Sequence, residues 1–256
     1  MISRKTVSLG LPWILPVLVI VVWQVAAQMG ALPSRILPAP SAVARAAGAL
    51  IASGELWIHL AASFRRAGIG FAVGGSIGFG LGLLTGTSRL AEQLLDSTIQ
   101  MIRNIPHLAL IPLVIIWFGV GEPGKLFLVS LGVMFPLYIN TYHGMRSVDK
   151  GLIEMGRVYG LTRWGLFREV MLPGAMSSIL VGVRFSLGFM WLTLIVAETI
   201  AANSGIGKMA MDAREFMQTD VVVVAILLYA LLGKLADVLA RILEHRWLRW
   251  NMEKKQ

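Results

Sequence analysis

The chain has 256 residues, 56% of them hydrophobic and only 14% charged, with a formal net charge of +9 and no cysteine. This is too apolar for a soluble domain of that length, and it points to an all-α, polytopic membrane protein. Disulfides and thiolate metal sites are excluded. The basic residues sit between apolar runs, a pattern that positive-inside topology explains without nucleic acid.

Arg4 and Lys5 precede an apolar run over 11–29. Val25-Ala26-Ala27 imitates a signal-peptide cleavage site, but the run exceeds a signal core of about 7 to 15 residues and suits a span of about 20. It reads as an uncleaved first helix. Residues 30–60 carry Pro33, Pro38 and Pro40, then a helix opened by Ser41 and interrupted at Gly54. This is expected to be an outer-face loop with an interfacial helix, where Trp57 suits the headgroup region. The second span is expected over 67–87. In it Gly70, Gly74, Gly78, Gly82 and Gly86 recur every four residues, which lets another helix backbone come close.

Arg89, Glu92, Asp96 and Arg103 read as a short inner connection. The third span, 105–120, contains Pro106, expected to start it, and Pro112, expected to kink it. The fourth covers 126–145, with Pro136 inside and a polar inner end that includes Asn140. Residues 146–173 are the longest charge-dense run. Asp149 and Thr162 are placed to cap two short helices, and Gly160 suits a left-handed turn between them. Leu172-Pro173 marks the return to the membrane. The fifth span, 178–199, has Arg184 near its inner end and Thr193 and Glu198 toward its outer end. Residues 201–220 are expected to be an outer loop. In the sixth span, 221–239, Lys234 and Asp237 can pair three residues apart. An inside N-terminus puts about twice as many lysines and arginines inside as outside, so both termini are expected in the cytoplasm.

Glu154, Met155, Gly156, then Gly160, then Val170-Met171-Leu172-Pro173 resemble the loop of ABC-importer permeases with the pattern E-A-A, three residues, G, nine residues, I-x-L-P. Met155 and Gly156 stand for the alanines, and Val170 stands for the isoleucine. Leu37 to Ser41, Arg103 to Pro112, Trp191 to Glu198, Asn203 to Gly207 and Gln218 to Val224 extend the resemblance along the chain. Together they are similar to the aliphatic-sulfonate permeases, in a group with taurine and nitrate permeases. The resemblance implies six transmembrane helices in the type I importer permease fold. It also implies that 146–173 couples to cytoplasmic ABC ATPase subunits, and that the chain pairs with a second copy and a periplasmic substrate-binding protein in the inner membrane. No cofactor, metal or catalytic residue is implied. The pattern G-x-x-x-x-G-K-[ST] is absent, so ATP chemistry must come from a partner. Asn140, Thr193 and Glu198 are candidate pathway residues, although Glu198 would repel a sulfonate.

Two other readings are weighed. An ion-coupled secondary transporter would need ionisable residues near the bilayer centre, whereas Arg184, Glu198 and Lys234 are expected near span ends. An intramembrane enzyme would need clustered ligands, but His59, His107 and His143 are scattered and lack metal-ligand spacing.

Overall fold

The computed structural model describes residues 4–248. Arg249, Lys254 and Lys255 of the basic tail lie outside them. Among the described residues the fold is all-α, without strands. Helix α1 (Arg4–Gln28) leads to α2 (Pro40–Ala52). Pro40 sits in the first turn of α2, where its missing N–H costs nothing. Gly54, at φ +81°, then turns the chain directly into α3 (Glu55–Thr87). This helix of 33 residues starts twelve positions before the expected second span. The polar residues His59, Ser63 and Arg66 concealed its start, but their spacing places them along one helical face.

Residues 89–118 also differ from expectation. The stretch read as a short connection is a 15-residue helix, α4 (Arg89–Arg103), capped where the Ser88 hydroxyl accepts from the Ala91 N–H at 3.3 Å. A 3₁₀ turn at His107–Leu110 follows, then α5 (Ile111–Phe118). With eight residues α5 is about 12 Å long, far short of the roughly 30 Å hydrocarbon layer. Pro106 lies in the break, and Pro112 sits in the first turn of α5 instead of kinking a longer helix.

Helix α6 (Glu122–Arg146) lies antiparallel to this broken unit. Tyr142 donates to Glu92 at 2.6 Å and Tyr138 to Asp96 at 2.8 Å. Further along, Ile99 packs with Phe135, and Val114 packs with Leu128. Helices α4 and α5 together therefore run along α6 from Tyr142 to Leu128.

Next come α7 (Lys150–Val158), a short turn α8 (Arg163–Gly165), a π-helical segment at Leu166–Met171 and α9 (Leu172–Ala201). The helix runs unbroken from Arg163 to Ile200. Leu172-Pro173 is thus no break. Proline tolerates continuity here because it lies in the first turn after the π segment, whose wider hydrogen-bond register relieves the usual clash. The expected loop at 201–220 contains α10 (Ile206–Glu215), and α11 (Thr219–Trp247) completes the bundle.

Among the described residues, four helices are long and apolar enough to cross a membrane: Glu55–Thr87, Glu122–Arg146, Arg163–Ile200 and Thr219–Trp247. The core is a layer of α3, α6 and α9. All five stripe glycines are buried and face α6. A Cβ at Gly74 or Gly78 would overlap the backbone of Ser130 or Met134, and one at Gly82 would come within 2.6 Å of Thr141 Cβ. On the other side of α6, a Cβ at Gly132 would lie 2.6 Å from the Thr193 hydroxyl, and one at Gly182 would lie 2.7 Å from Asn140 Cβ. Small residues let these backbones approach closely, so dispersion replaces the hydrophobic drive that lipid cannot supply.

Candidate functional site

Two constellations stand at opposite ends of the bundle. At one end, α7 and α8 form a protruding loop. The Asp149 carboxylate accepts from the Gly151 N–H at 2.7 Å, and the Thr162 hydroxyl accepts from the Gly165 N–H at 3.1 Å. Between them Gly160 adopts φ +80°, and the Leu161 N–H reaches back to the Gly156 carbonyl at 3.0 Å. This six-to-one bond is the Schellman closure that a left-handed residue permits. Both caps and the turn at Gly160 stand as the sequence reading expects.

Gly156 is buried where the two short helices meet. A Cβ there would lie 2.7 Å from Leu166 Cδ2. Glu154 and Met155 are exposed, and Glu154 makes no hydrogen bond or ion pair with a described residue. The surface around them mixes apolar and charged side chains: Val158 and Tyr159 are 87% and 81% exposed, and Trp164, Arg157 and Arg163 are also exposed. A depression of about 570 Å³ lies between Met155, Tyr159, Leu161, Val170 and Pro173. Such a surface is shaped for a protein partner.

At the far end is a buried ionic junction. Arg66 of α3 and Glu198 of α9 are 1% and 0% exposed and pair at 2.8 Å. The Arg66 guanidinium also donates to both oxygens of Glu122 at 2.8 and 2.6 Å and to the Ser204 carbonyl at 2.5 Å. The Glu198 carboxylate further accepts from the Ser63 hydroxyl at 2.8 Å, the Gly207 N–H at 3.0 Å and the Tyr229 hydroxyl at 3.1 Å. Ser63 in turn accepts from the Ile206 N–H, and His59 Nδ1 accepts from the Gly205 N–H. The start of α10 thus presents one free N–H, that of Gly207, to a carboxylate, and its neighbours to a hydroxyl and an imidazole. Gly205, at φ +128°, is required, because a Cβ would overlap the Glu198 carboxyl group.

The junction joins α3, α6, α9, α10 and α11. Its donors saturate Glu198, which leaves that carboxylate no free lone pair for proton transfer and no open face toward a passing anion. The expected second span, beginning at 67, leaves Arg66 just outside it, and Glu198 stands among the pathway candidates. Sequence reading did not find Ser63, Glu122 or Tyr229. The available signal was the spacing of His59, Ser63 and Arg66. The other two pathway candidates also lie in helix contacts. Asn140 donates to the Pro136 carbonyl at 2.8 Å, while Thr193 donates to the Phe189 carbonyl at 2.5 Å and lies against Gly132.

A second ionic group ties α9 to α11. Asp237 accepts from Arg184 at 2.6 Å and lies 3.0 Å from Arg241, with Lys234 more distant at 3.9 Å. The expected Lys234–Asp237 pair is therefore secondary to an interhelical one.

Comparison with known proteins agrees with this architecture. Residues 78–249 match the family described as the binding-protein-dependent transport system inner membrane component. The chain is 66% identical over 240 residues to the aliphatic sulfonates transport permease protein SsuC of Escherichia coli (strain K12), covering 94% of this chain and 91% of that one. It is 37% identical over 198 residues to the taurine transport system permease protein TauC of the same organism, covering 77% and 72%. An amino acid ABC transporter of known structure superposes with a TM-score of 0.61 at 16% identity, over 72% of this chain and 90% of that one, and so shares the fold. With this match spanning most of the chain, the protein belongs to the inner membrane components of binding-protein-dependent ABC transport systems.

Proposed function

We propose that the chain is the permease subunit of an ATP-driven importer of aliphatic sulfonates. Its 66% identity across nearly the whole length to a permease named for that substrate carries the reading. In this arrangement the protein forms a homodimer, bound on one side by two ATPase subunits and on the other by a periplasmic binding protein. Both termini and the α7–α8 loop face the cytoplasm. The loop supports the coupling role because its shape is fixed by local caps while its apolar side chains remain exposed. ATP-driven closure of the partner pair would push the loop, and the continuous helix from Arg163 to Ile200 would carry that displacement across the bundle.

The test is uptake of labelled alkanesulfonates, taurine and nitrate by the complex reconstituted with its ATPase and binding protein. ATP-dependent uptake favouring alkanesulfonates is expected. Preference for taurine or nitrate would move the substrate to a neighbouring anion. Uptake driven by an ion gradient without ATP would overturn the importer reading.

A further inference from the structure

Helix α4 carries two arcs along its length. Leu90, Leu94 and Met101 lie on one and are exposed. Gln93, Asp96, Gln100 and Arg103 lie on the other, where Asp96 is held by Tyr138 of α6. The contacts along α6 fix the height of each residue. Glu92 is level with Tyr142, Asp96 with Tyr138, Ile99 with Phe135, and Val114 with Leu128. Arg103 therefore stands near the middle of α6, where the broken unit changes from α4 to α5. It is exposed, and it has no hydrogen-bond or ion-pair partner among the described residues.

A guanidinium facing hydrocarbon at that depth without a partner would carry a large desolvation penalty. Its exposure must then be toward water or another protein surface. We propose that the polar arc of α4 lines the translocation pathway and that Arg103 is its anion-contact residue, meeting the negatively charged head group of the substrate at mid-membrane. The head-group identity rests on the sulfonate reading above. The planar guanidinium fork matches two oxygens of such a group. A single cation, without further buried donors around it, also suits passage, because a pathway site must release what it holds. An arginine in the last turn of a helix also complements the helix dipole, a role that requires no pathway and that the following experiment separates.

The chain has no cysteine, so single-cysteine variants label without background. Arg103→Cys and Leu94→Cys are compared in the full reconstituted complex, with and without trapped nucleotide, using 2-sulfonatoethyl methanethiosulfonate. Arg103→Cys should react at least about tenfold faster than Leu94→Cys, since hydrocarbon excludes the charged reagent. Alkanesulfonate during turnover should slow that reaction. In parallel, Arg103→Gln should lower uptake about tenfold, as expected for one lost charge-assisted contact. ATPase binding should be retained, and Arg103→Lys should recover most of the uptake. Failure of Arg103→Cys to react in either nucleotide state, or wild-type uptake by Arg103→Gln, overturns the proposal. If the wild-type complex transports nitrate or taurine but no alkanesulfonate, the substrate reading falls. Labelling of Arg103→Cys still decides whether the residue lines the pathway.

Discussion

A carboxylate without solvent exposure needs donors for both oxygens, and Glu198 obtains them from α3, α10 and α11. Arg66 neutralises it, while half-exposed Glu122 and the Ser204 carbonyl take the remaining guanidinium N–H groups. The two acidic partners are unequal. Removing Arg66 leaves a buried charge uncompensated, a loss of about 3–5 kcal/mol. Removing the charge of half-exposed Glu122 leaves the buried Arg66–Glu198 pair in place, so the loss is smaller. Arg66→Ala should therefore lower the thermal midpoint of the detergent-solubilised protein far more than Glu122→Gln. Equal shifts would show that the junction contributes little to cohesion. Gly78 offers a second contrast, with Gly80 two residues away. A Cβ at Gly78 overlaps the Met134 backbone, whereas one at Gly80 meets nothing within 4 Å. Glycine to alanine in a free helix position stabilises by roughly 0.5–1 kcal/mol. Gly80→Ala should hold or raise stability and Gly78→Ala should lower it, as read by the same melting measurement.

Between α7 and α9 the chain combines a locally fixed loop with a rigid continuation. Gly156 brings the short helices together, Gly160 turns the chain, and the π segment passes into α9 without interruption. If this loop couples to an ATPase, it should be separable from the bundle. A β-branched residue at the positive φ of Gly160 costs on the order of 1–3 kcal/mol. Nothing lies within 4 Å of a Cβ there, so backbone conformation alone bears the cost. Gly160→Val should insert at wild-type abundance and melt with an unaltered bundle, yet lose most ATP-dependent uptake through weak ATPase binding or uncoupled hydrolysis. Wild-type ATPase binding and transport at equal membrane levels would remove the loop from the coupling role.

Across the molecule, α3 and α6 run parallel, α9 runs antiparallel to both α6 and α11, and the unit formed by α4 and α5 runs antiparallel to α6, lying between α3 and α6 in the chain. The two ends differ chemically. One carries the protruding loop with its exposed apolar and charged side chains, and the other carries the ionic junction capped by α10. With the loop end cytoplasmic, reporter fusions after Gln256 and within residues 41–55 should lie on opposite sides of the membrane. Fusions reporting the same side would reverse or break this topology. The charge balance that motivates it changes in detail, because Arg66 and Arg103 belong to helices within the bundle instead of to the loops where hydropathy placed them.

The sequence by itself determined features whose partners are close along the chain. Asp149 with Gly151, Thr162 with Gly165, and the left-handed turn at Gly160 involve neighbours, so residue type and spacing suffice to specify them. The glycine stripe was legible for a similar reason: its four-residue period marks one helix side whatever the identity of the helix that packs there. The tertiary structure decided the features that depend on distant compensation. Arg66 and Glu198 are 132 positions apart, and Arg184 and Asp237 are 53 apart. Reading hydropathy along the chain began the second span after Arg66, whereas the fold neutralises that charge and lets the helix extend back through it. Helix α4 was missed through the same averaging. Its polar arc lowered its apparent hydrophobicity below that of a span, and only packing against α6 showed that it and α5 run together along that helix, because a helix in a protein bundle needs lipid on only part of its surface.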